Sequence, residues 1–357
     1  MTTTQPAPAE LLDISDLTLI SADSHVMEDP DFWHSRLPDS LKGDVPAFAP
    51  RPQTGTAMND QRPGGYDPNE RINEMETDGV AAEVLYPTLG LRLFSLESPE
   101  AQEACFRIYN DWLMEYCSVS PKRLVGIACI PTYDIEKAVA ELYRTHEGGL
   151  YGGLVWQVPH PDLPFTSDRY DPLWAACQEL GVPAHLHILT GFDYSAGFNF
   201  GARHADPLLA HRGSVNLKLQ SVTNSLFDLI YTGVFERFPD LKAVIVESEI
   251  GWIPFVLQQW DYYYHRFLGQ REVPITMPPS AYFYRNVYAT FFNDAVGGQL
   301  LSWWGQDNCM WSTDYPHPNS PWPNSRRVLA QNLGHLSQET IRKLVNTNVR
   351  KIYPIGE

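Results

Sequence analysis

The sequence predicts an α/β protein, a single (β/α)8 barrel of the TIM type with long inserted loops forming a lid or substrate wall. Three observations carry that expectation. Eight short β-branched or apolar runs recur through the 357 residues, and stretches with helix punctuation separate them. No glycine-rich phosphate loop, neither GxGxxG nor GxxxxGKS/T, follows the first strand, so a doubly wound open sheet loses its best support.

The strand candidates are residues 17–26, 80–86, 124–131, 153–158, 183–188, 242–248, 286–292 and 308–314. They read as near-continuous apolar runs, which suits parallel strands covered on both faces. Between them, Ser98-Pro99 opens the run EAQEACFRIYNDWLMEYC. Asp134 opens IEKAVAELYRTH before Gly148-Gly149, and Asp171-Pro172 opens LWAACQEL, which Gly181 closes. Cap, first-turn proline and terminal glycine agree with one another. Two excursions, residues 34–70 and 190–240, break the alternation, and segments of that length serve more often as lids or substrate walls than as structureless loops. No internal repeat or linker divides the chain. Residues 1–14 read as a flexible N-terminal tail and residues 15–357 as one barrel domain.

Composition excludes several classes. The 26 basic and 43 acidic residues leave a formal charge of −17, which repels nucleic acid and anionic lipid surfaces. No apolar run approaches the roughly 20 residues that span a bilayer, and the opening MTTTQPAPAELLD is unlike a secretory signal. A cytoplasmic address is expected. Five scattered cysteines with no CxxC pair suggest neither a disulfide framework nor a thiolate zinc site.

Polar residues that end apolar runs are the candidates for chemistry. The first strand ends in Asp23-Ser24-His25, whose alternation places Asp23 and His25 on one face, about 7 Å apart along the chain. Carboxylate oxygen and imidazole nitrogen together suit zinc, manganese or iron; the alternative is a turn-capping Asp23 and a satisfied buried His25. The fifth strand ends in His185-Leu186-His187, of which His187, nearer the carboxyl end, is the better ligand and His185 the better hydrogen-bonded core group. Asp314 ends the eighth strand beside Tyr315-Pro316-His317 and sits on the rim where a barrel gathers its catalytic groups, unless it caps a helix. Glu247 and Glu249, spaced to share a face, end the sixth strand as a general base or as acids dressing a helix N-terminus. Downstream, Trp260–Arg266 place aromatics on every side of a helix, as core plus a subunit contact.

At these residues the sequence resembles the amidohydrolase superfamily, specifically the amidohydrolase-related group that includes aminocarboxymuconate semialdehyde decarboxylase and the resorcylate-type decarboxylases. The resemblance runs from SADSHVMEDPDFW, through RINEMETDGVAAEVLYPTLG, PAHLH, GVFERFPDLKAVIVESEIGWIP and STDYPHPNSPWP, to NTNVRKIYPI. It implies a (β/α)8 barrel holding one divalent metal, zinc first and manganese second, on Asp23, His25, His187 and Asp314. Two departures stand out. Asp-x-His replaces the His-x-His of many relatives, with Glu28 as a spare carboxylate, and Glu247-Ser248-Glu249 stands where decarboxylating relatives carry a histidine.

The mechanism expected from this set is hydrolytic. A divalent cation lowers the pKa of bound water from about 15.7 toward about 7, and Asp314 takes the water's proton and returns it to the leaving group. The substrate would be a small cyclic or aromatic amide, lactone or dicarbonyl. The alternative is nonoxidative decarboxylation of a small aromatic or unsaturated acid, with Glu247 or His317 supplying the ring proton. Trp252 is the candidate wall for a flat substrate, and Arg71 and Arg203 are the candidates for gripping its carboxylate. A small-molecule substrate and a homodimer or homotetramer complete the expectation.

Overall fold

Parallel pairing joins every neighbouring strand in two sheets, one of three strands and one of six, in strict chain order. The computed structural model describes residues 13–48, 62–192 and 218–356. The strands are β1 (Leu19–His25), β2 (Val80–Tyr86), β3 (Leu124–Gly126), β4 (Ala128–Cys129), β5 (Gly153–Val155), β6 (Ala184–His187), β7 (Ala243–Val246), β8 (Val287–Phe291) and β9 (Cys309–Trp311). All but one of their residues, Ala81, are buried. This is the two-sided cover that their unbroken apolar runs required. All eight expected strands are present, residues 80–86 with the expected bounds and the others with trimmed ends. Residues 124–131 hold two of the nine segments, because Ile127 interrupts the run and donates its N–H to Leu85 O, 3.0 Å.

Helices return the chain between the strands: α1 (Pro68–Asp78), α2 (Pro99–Ser118), α3 (Ile135–Glu147), α4 (Asp171–Leu180), α5 (Lys218–Tyr231), α6 (Ile253–Phe267), α7 (Pro279–Asn286), α8 (Ala295–Leu300) and α9 (Ser325–Leu333). The expected caps form at two of them. The Ser98 hydroxyl accepts from Ala101 N, 3.3 Å, and the Asp134 carboxylate from Glu136 N and Lys137 N. At α4 the cap moves upstream. A 3₁₀ turn, Asp168–Tyr170, runs into the helix, so Ser167 accepts the first free N–H and Asp171 lies inside the first turn. Gly79 ends α1 at φ +73°, a left-handed conformation that lets β2 begin one residue later and costs a residue with a Cβ about 1 kcal/mol or more.

The inserted segments differ in part from expectation. Residues 49–61 and 193–217, with Arg203, lie outside the described residues, and the later part of the second excursion is helix α5. Asp13 and Ile14, assigned above to the tail, are docked: Ile14 is buried, and the carbonyls of Asp13 and Ile14 accept from Gln338 and Arg326. The five cysteines are reduced and buried, each thiol pushed up by desolvation.

Candidate metal centre

Five of the expected site residues end parallel strands at the same edge. Asp23 and His25 come from β1, His187 from β6, and Glu247 and Asp314 follow β7 and β9. His25 Nε2 lies 3.5 Å from Asp23 Oδ1 and 3.4 Å from Asp314 Oδ1, and His187 Nε2 lies 3.6 Å from Asp23 Oδ1. Ligands about 2.1 Å from one divalent ion stand roughly 3.0–3.5 Å apart at tetrahedral to octahedral angles. The four groups are buried, and ligand atoms of Asp23, His25 and His187 lie within 4.8 Å of one another, as do those of His25, Asp314 and His317.

The histidine tautomers follow from carbonyl neighbours. A carbonyl oxygen only accepts, so His25 Nδ1 donates to Pro87 O at 2.8 Å and His187 Nδ1 donates to Ile188 O at 2.7 Å. That leaves a lone pair on each Nε2 facing inward, the arrangement in which a second bond fixes a metal-binding imidazole. His25 Nε2, His187 Nε2 and both carboxylate oxygens of Asp23 are buried with no hydrogen-bond partner. Four orphaned atoms of this kind would each cost about 1–3 kcal/mol or more. A divalent cation satisfies all four at once, so the residues present fit a metal. Burial drives the His25 pKa well below the imidazole range, with His317 and His187 adding to it. For His187, burial is outweighed by the charge of Asp23 at 3.6 Å, with Glu247 behind it, and its pKa is raised.

Strain concentrates here. Among the described residues, Leu189, Glu247, Glu249 and Asp314 are the non-glycine residues with positive φ, at +70°, +55°, +54° and +52°. All follow strand ends at this edge. Left-handed backbone costs such residues about 1–3 kcal/mol each and survives where surrounding bonds over-determine it. Those bonds are present: Asp314 N donates to Asp23 O at 3.0 Å, His25 N to Tyr315 O at 2.7 Å, Thr313 N to Ser21 Oγ at 2.9 Å, and Glu247 N to Thr290 Oγ1 at 2.8 Å.

The strain also separates two carboxylates expected to share a face. Strand alternation stops at Val246, because a left-handed Glu247 turns the chain. Glu247 Oε2 reaches to 3.8 Å from His187 Nε2, whereas Glu249 turns toward the Phe292 N–H. Burial, then the charge of Asp294, pushes the Glu249 pKa up to about 7.

His317 joins the site from a direction that spacing alone did not fix. Its Nδ1 lies 2.7 Å from Asp314 Oδ1, its ring centroid 4.1 Å from that of His25, and its Nε2 3.2 Å from Thr88 Oγ1. Thr88 donates its one hydroxyl proton to Val26 O at 2.7 Å. Its oxygen therefore accepts from His317 Nε2–H, and one further proton belongs to the His317–Asp314 pair: either on Asp314, donated to Nδ1, or on an imidazolium.

Two expectations, Arg71 and Glu28, fall elsewhere. Arg71, read as a grip for substrate carboxylate, is fully buried. Its guanidinium donates to Glu83 at 2.5 Å and to the carbonyls of His25, Gly64 and Tyr315 at 2.8, 3.3 and 3.4 Å, so its donors are committed to holding the ends of β1 and β9. Glu28, the spare carboxylate, accepts from the backbone N–H groups of Thr88, Leu89 and Gly90 at 2.9–3.1 Å and clamps the loop after β2. Trp252 is half-buried at the start of α6 and donates its indole N–H to Ser248 O, 2.8 Å, within the strained turn. His185, the deeper imidazole, hydrogen-bonds Tyr353 through Nε2 at 3.0 Å. Thr88 was missed by the sequence reading; a hydroxyl ending a loop Tyr-Pro-Thr carries no signal without its tertiary partner.

Comparison with known proteins fits this geometry. The family model described as Amidohydrolase matches residues 34–355. A gamma-resorcylate decarboxylase of Polaromonas sp. is 27% identical over 261 residues, 70% of this chain and 77% of that protein. Among solved structures, an amidohydrolase of Mycobacterium avium subsp. paratuberculosis superposes with a TM-score of 0.77 at 19% identity, covering 96% of this chain and all of the other. A 5-carboxyvanillate decarboxylase of Novosphingobium aromaticivorans, complexed with manganese, gives 0.72 at 20% identity and covers 95% and 96%. These findings overturn the hydrolytic expectation: the curated relatives are named as decarboxylases, not as enzymes acting on amides or lactones. The zinc preference gains no support, since the metal named in the solved neighbours is manganese.

Proposed function

The chain belongs to the amidohydrolase family, and from that premise we propose that it is a metal-dependent, nonoxidative decarboxylase of a small aromatic carboxylic acid. The observation that carries the reading is the set of four buried, unpartnered ligand atoms of Asp23, His25 and His187 beside the proton-sharing pair of Asp314 and His317. The decarboxylase names of the relatives supply the substrate class. We take the two sheets as one barrel wall: Ile127, between β3 and β4, bonds through its N–H to Leu85 O of β2, and Asp314 N and His25 N bond across between β1 and the residues after β9.

Asp23, His25, His187 and Asp314 would hold a divalent cation, with manganese preferred. When bound, it would supply positive charge to orient the substrate's carboxylate or phenolate oxygen and draw electron density from the ring. The protein's own groups do the rest. Decarboxylation requires a proton at the ring carbon bearing the carboxylate; the C–C bond then breaks, its electron pair returns to the ring and carbon dioxide leaves. The proton comes from the Asp314–His317 pair, which lies at the rim with His317 only partly buried. Thr88 keeps the imidazole facing Asp314. Glu247, 3.8 Å from His187, orders the inner edge of the site. The strained turn after β7 sets Trp252 as one wall.

The test is carbon dioxide release from manganese-loaded protein given 2,6-dihydroxybenzoate, 5-carboxyvanillate and related hydroxybenzoates. Loss of release in His317→Asn with metal retained, and loss of metal in His187→Ala, are expected. Fully metallated protein that releases no carbon dioxide across the panel, or that releases it undiminished as His317→Asn, overturns the reading.

A further inference from the structure

Glu247 leaves β7 in left-handed backbone, φ +55°, and Thr290 Oγ1 of β8 accepts its N–H at 2.8 Å. The turn that follows is held as firmly. Asp294 accepts from Ile250 N and Gly251 N at 2.8 and 2.5 Å, and Ser248 O accepts from the Trp252 indole at 2.8 Å. This backbone delivers the Glu247 carboxylate to the ligand edge, where Oε2 stands 3.8 Å from His187 Nε2.

The two atoms cannot satisfy each other. His187 Nδ1 donates to Ile188 O, so Nε2 carries a lone pair, and an ionised carboxylate offers only lone pairs in return. Nε2 is buried without a hydrogen-bond partner although an acid stands beside it. Acceptors that face each other in this way repel, and a cation between them reverses the sign. Asp23 Oδ1 meets the same nitrogen in the same manner at 3.6 Å.

We propose that Glu247 is a further oxygen donor to the divalent ion and biases the centre toward manganese over zinc, an inference that rests on the metal centre proposed above. Spacing is the first argument. Donors about 2.1 Å from an ion stand roughly 3.0 Å apart when adjacent in an octahedron and about 4.2 Å apart when opposite, and the 3.8 Å separation lies between. The Glu247 side chain is 13% exposed and its terminal torsion is soft, so either oxygen can turn inward. Charge balance is the second. Asp314 and His317 with their shared proton are neutral together, the two ligand imidazoles are neutral, and Arg71 cancels Glu83. Asp23 alone then offsets half of a divalent charge in a buried site, and Glu247 supplies the other half. Donor type is the third. With Glu247 the set becomes three carboxylates and two imidazoles; zinc closes with four ligands, whereas an oxygen-rich set of higher coordination suits manganese.

Calorimetric titration of the metal-free full chain with manganese and with zinc tests the proposal, on the wild type and on Glu247→Gln, which keeps the shape and removes the charge. Manganese affinity should fall by about tenfold or more and zinc affinity by less than about threefold, and the spectrum of bound manganese in electron paramagnetic resonance should change. Glu249→Gln lies on the same turn with its carboxylate toward the Phe292 N–H, and should leave manganese affinity unchanged. A manganese-soaked crystal of the unaltered chain covers the case in which a variant fails to fold: a Glu247 oxygen should lie about 2.0–2.4 Å from the ion. Manganese held by Asp23, His25 and His187 with the Glu247 carboxylate beyond about 3 Å overturns the proposal and leaves the metal centre standing. Equal loss of both metals in Glu247→Gln, or an equal loss of manganese in Glu249→Gln, does the same. A wild type that takes up neither metal overturns the centre and this proposal with it.

Discussion

Replacing Arg71 by methionine separates a structural strut from a substrate grip. The guanidinium is buried, pairs with the buried Glu83 and donates to the carbonyls of His25 and Tyr315, which adjoin the ligand strands β1 and β9. Methionine keeps most of the volume and removes the charge, leaving Glu83 uncompensated in a site where burial already raises its pKa. Breaking a buried pair in this way costs about 3–5 kcal/mol. An unfolding entropy of about 2.1 cal/mol/K per residue gives roughly 0.75 kcal/mol/K for a chain of this length, so Tm should fall by about 5 °C. Adding Glu83→Gln neutralises the stranded acid and should recover part of the loss, with a coupling of about 1–3 kcal/mol between the two sites. Differential scanning calorimetry and urea unfolding at fixed pH measure both. Manganese affinity should fall with Arg71→Met as well, because the strand ends lose their brace. An Arg71→Met protein with unchanged Tm and metal affinity, but a raised KM for an aromatic carboxylate, would refute the strut argument and restore the grip.

Two further outcomes follow from the same geometry. Glu249 titrates at about 7 in the folded chain against 4.5 ordinarily, so the folded state binds its proton more tightly; its contribution is neutral when both states are protonated, below about pH 4.5, and becomes destabilising as pH rises through 7. Glu249→Gln should therefore gain on the wild type between pH 5 and pH 8, by up to about 3 kcal/mol, and an equal stability difference at the two pH values would refute the assignment. Glu28→Ala strands three backbone N–H groups and should cost about 3 kcal/mol in urea unfolding, while a metal content well below one per chain would instead show that Glu28 is a ligand.

Much of the fold was legible because local chemistry and global arrangement agree. The eight apolar runs became strands since a parallel sheet covered on both faces admits little else, and Ser98 and Asp134 cap helices with their own side chains, an interaction decided within four residues. The candidate site was partly legible for the same reason: Asp23, His25, His187 and Asp314 interrupt or end apolar segments where a charge has no local justification, and the structure brings ligand atoms of Asp23, His25 and His187 within 4.8 Å of one another, with Asp314 in a second such group beside His25.

What the sequence by itself determined was therefore the strand order, the caps and the polar residues at strand ends, all set by neighbours a few positions away. Tertiary structure alone decided the rest. Arg71 and Glu28 look available in the sequence, but Glu83 comes into reach of Arg71 only when α1 packs back on β2, and the loop at Thr88–Gly90 into reach of Glu28 only when β1 and β2 pair. Glu247 and Glu249 share a face in any extended strand, and diverge because bonds to Thr290 and Asp294 from the next strand-helix unit hold the turn in left-handed backbone. Spacing along a chain fixes the direction of a side chain only while the backbone stays regular; at this edge the backbone leaves that regime, and contacts between residues far apart in sequence set where each charge points.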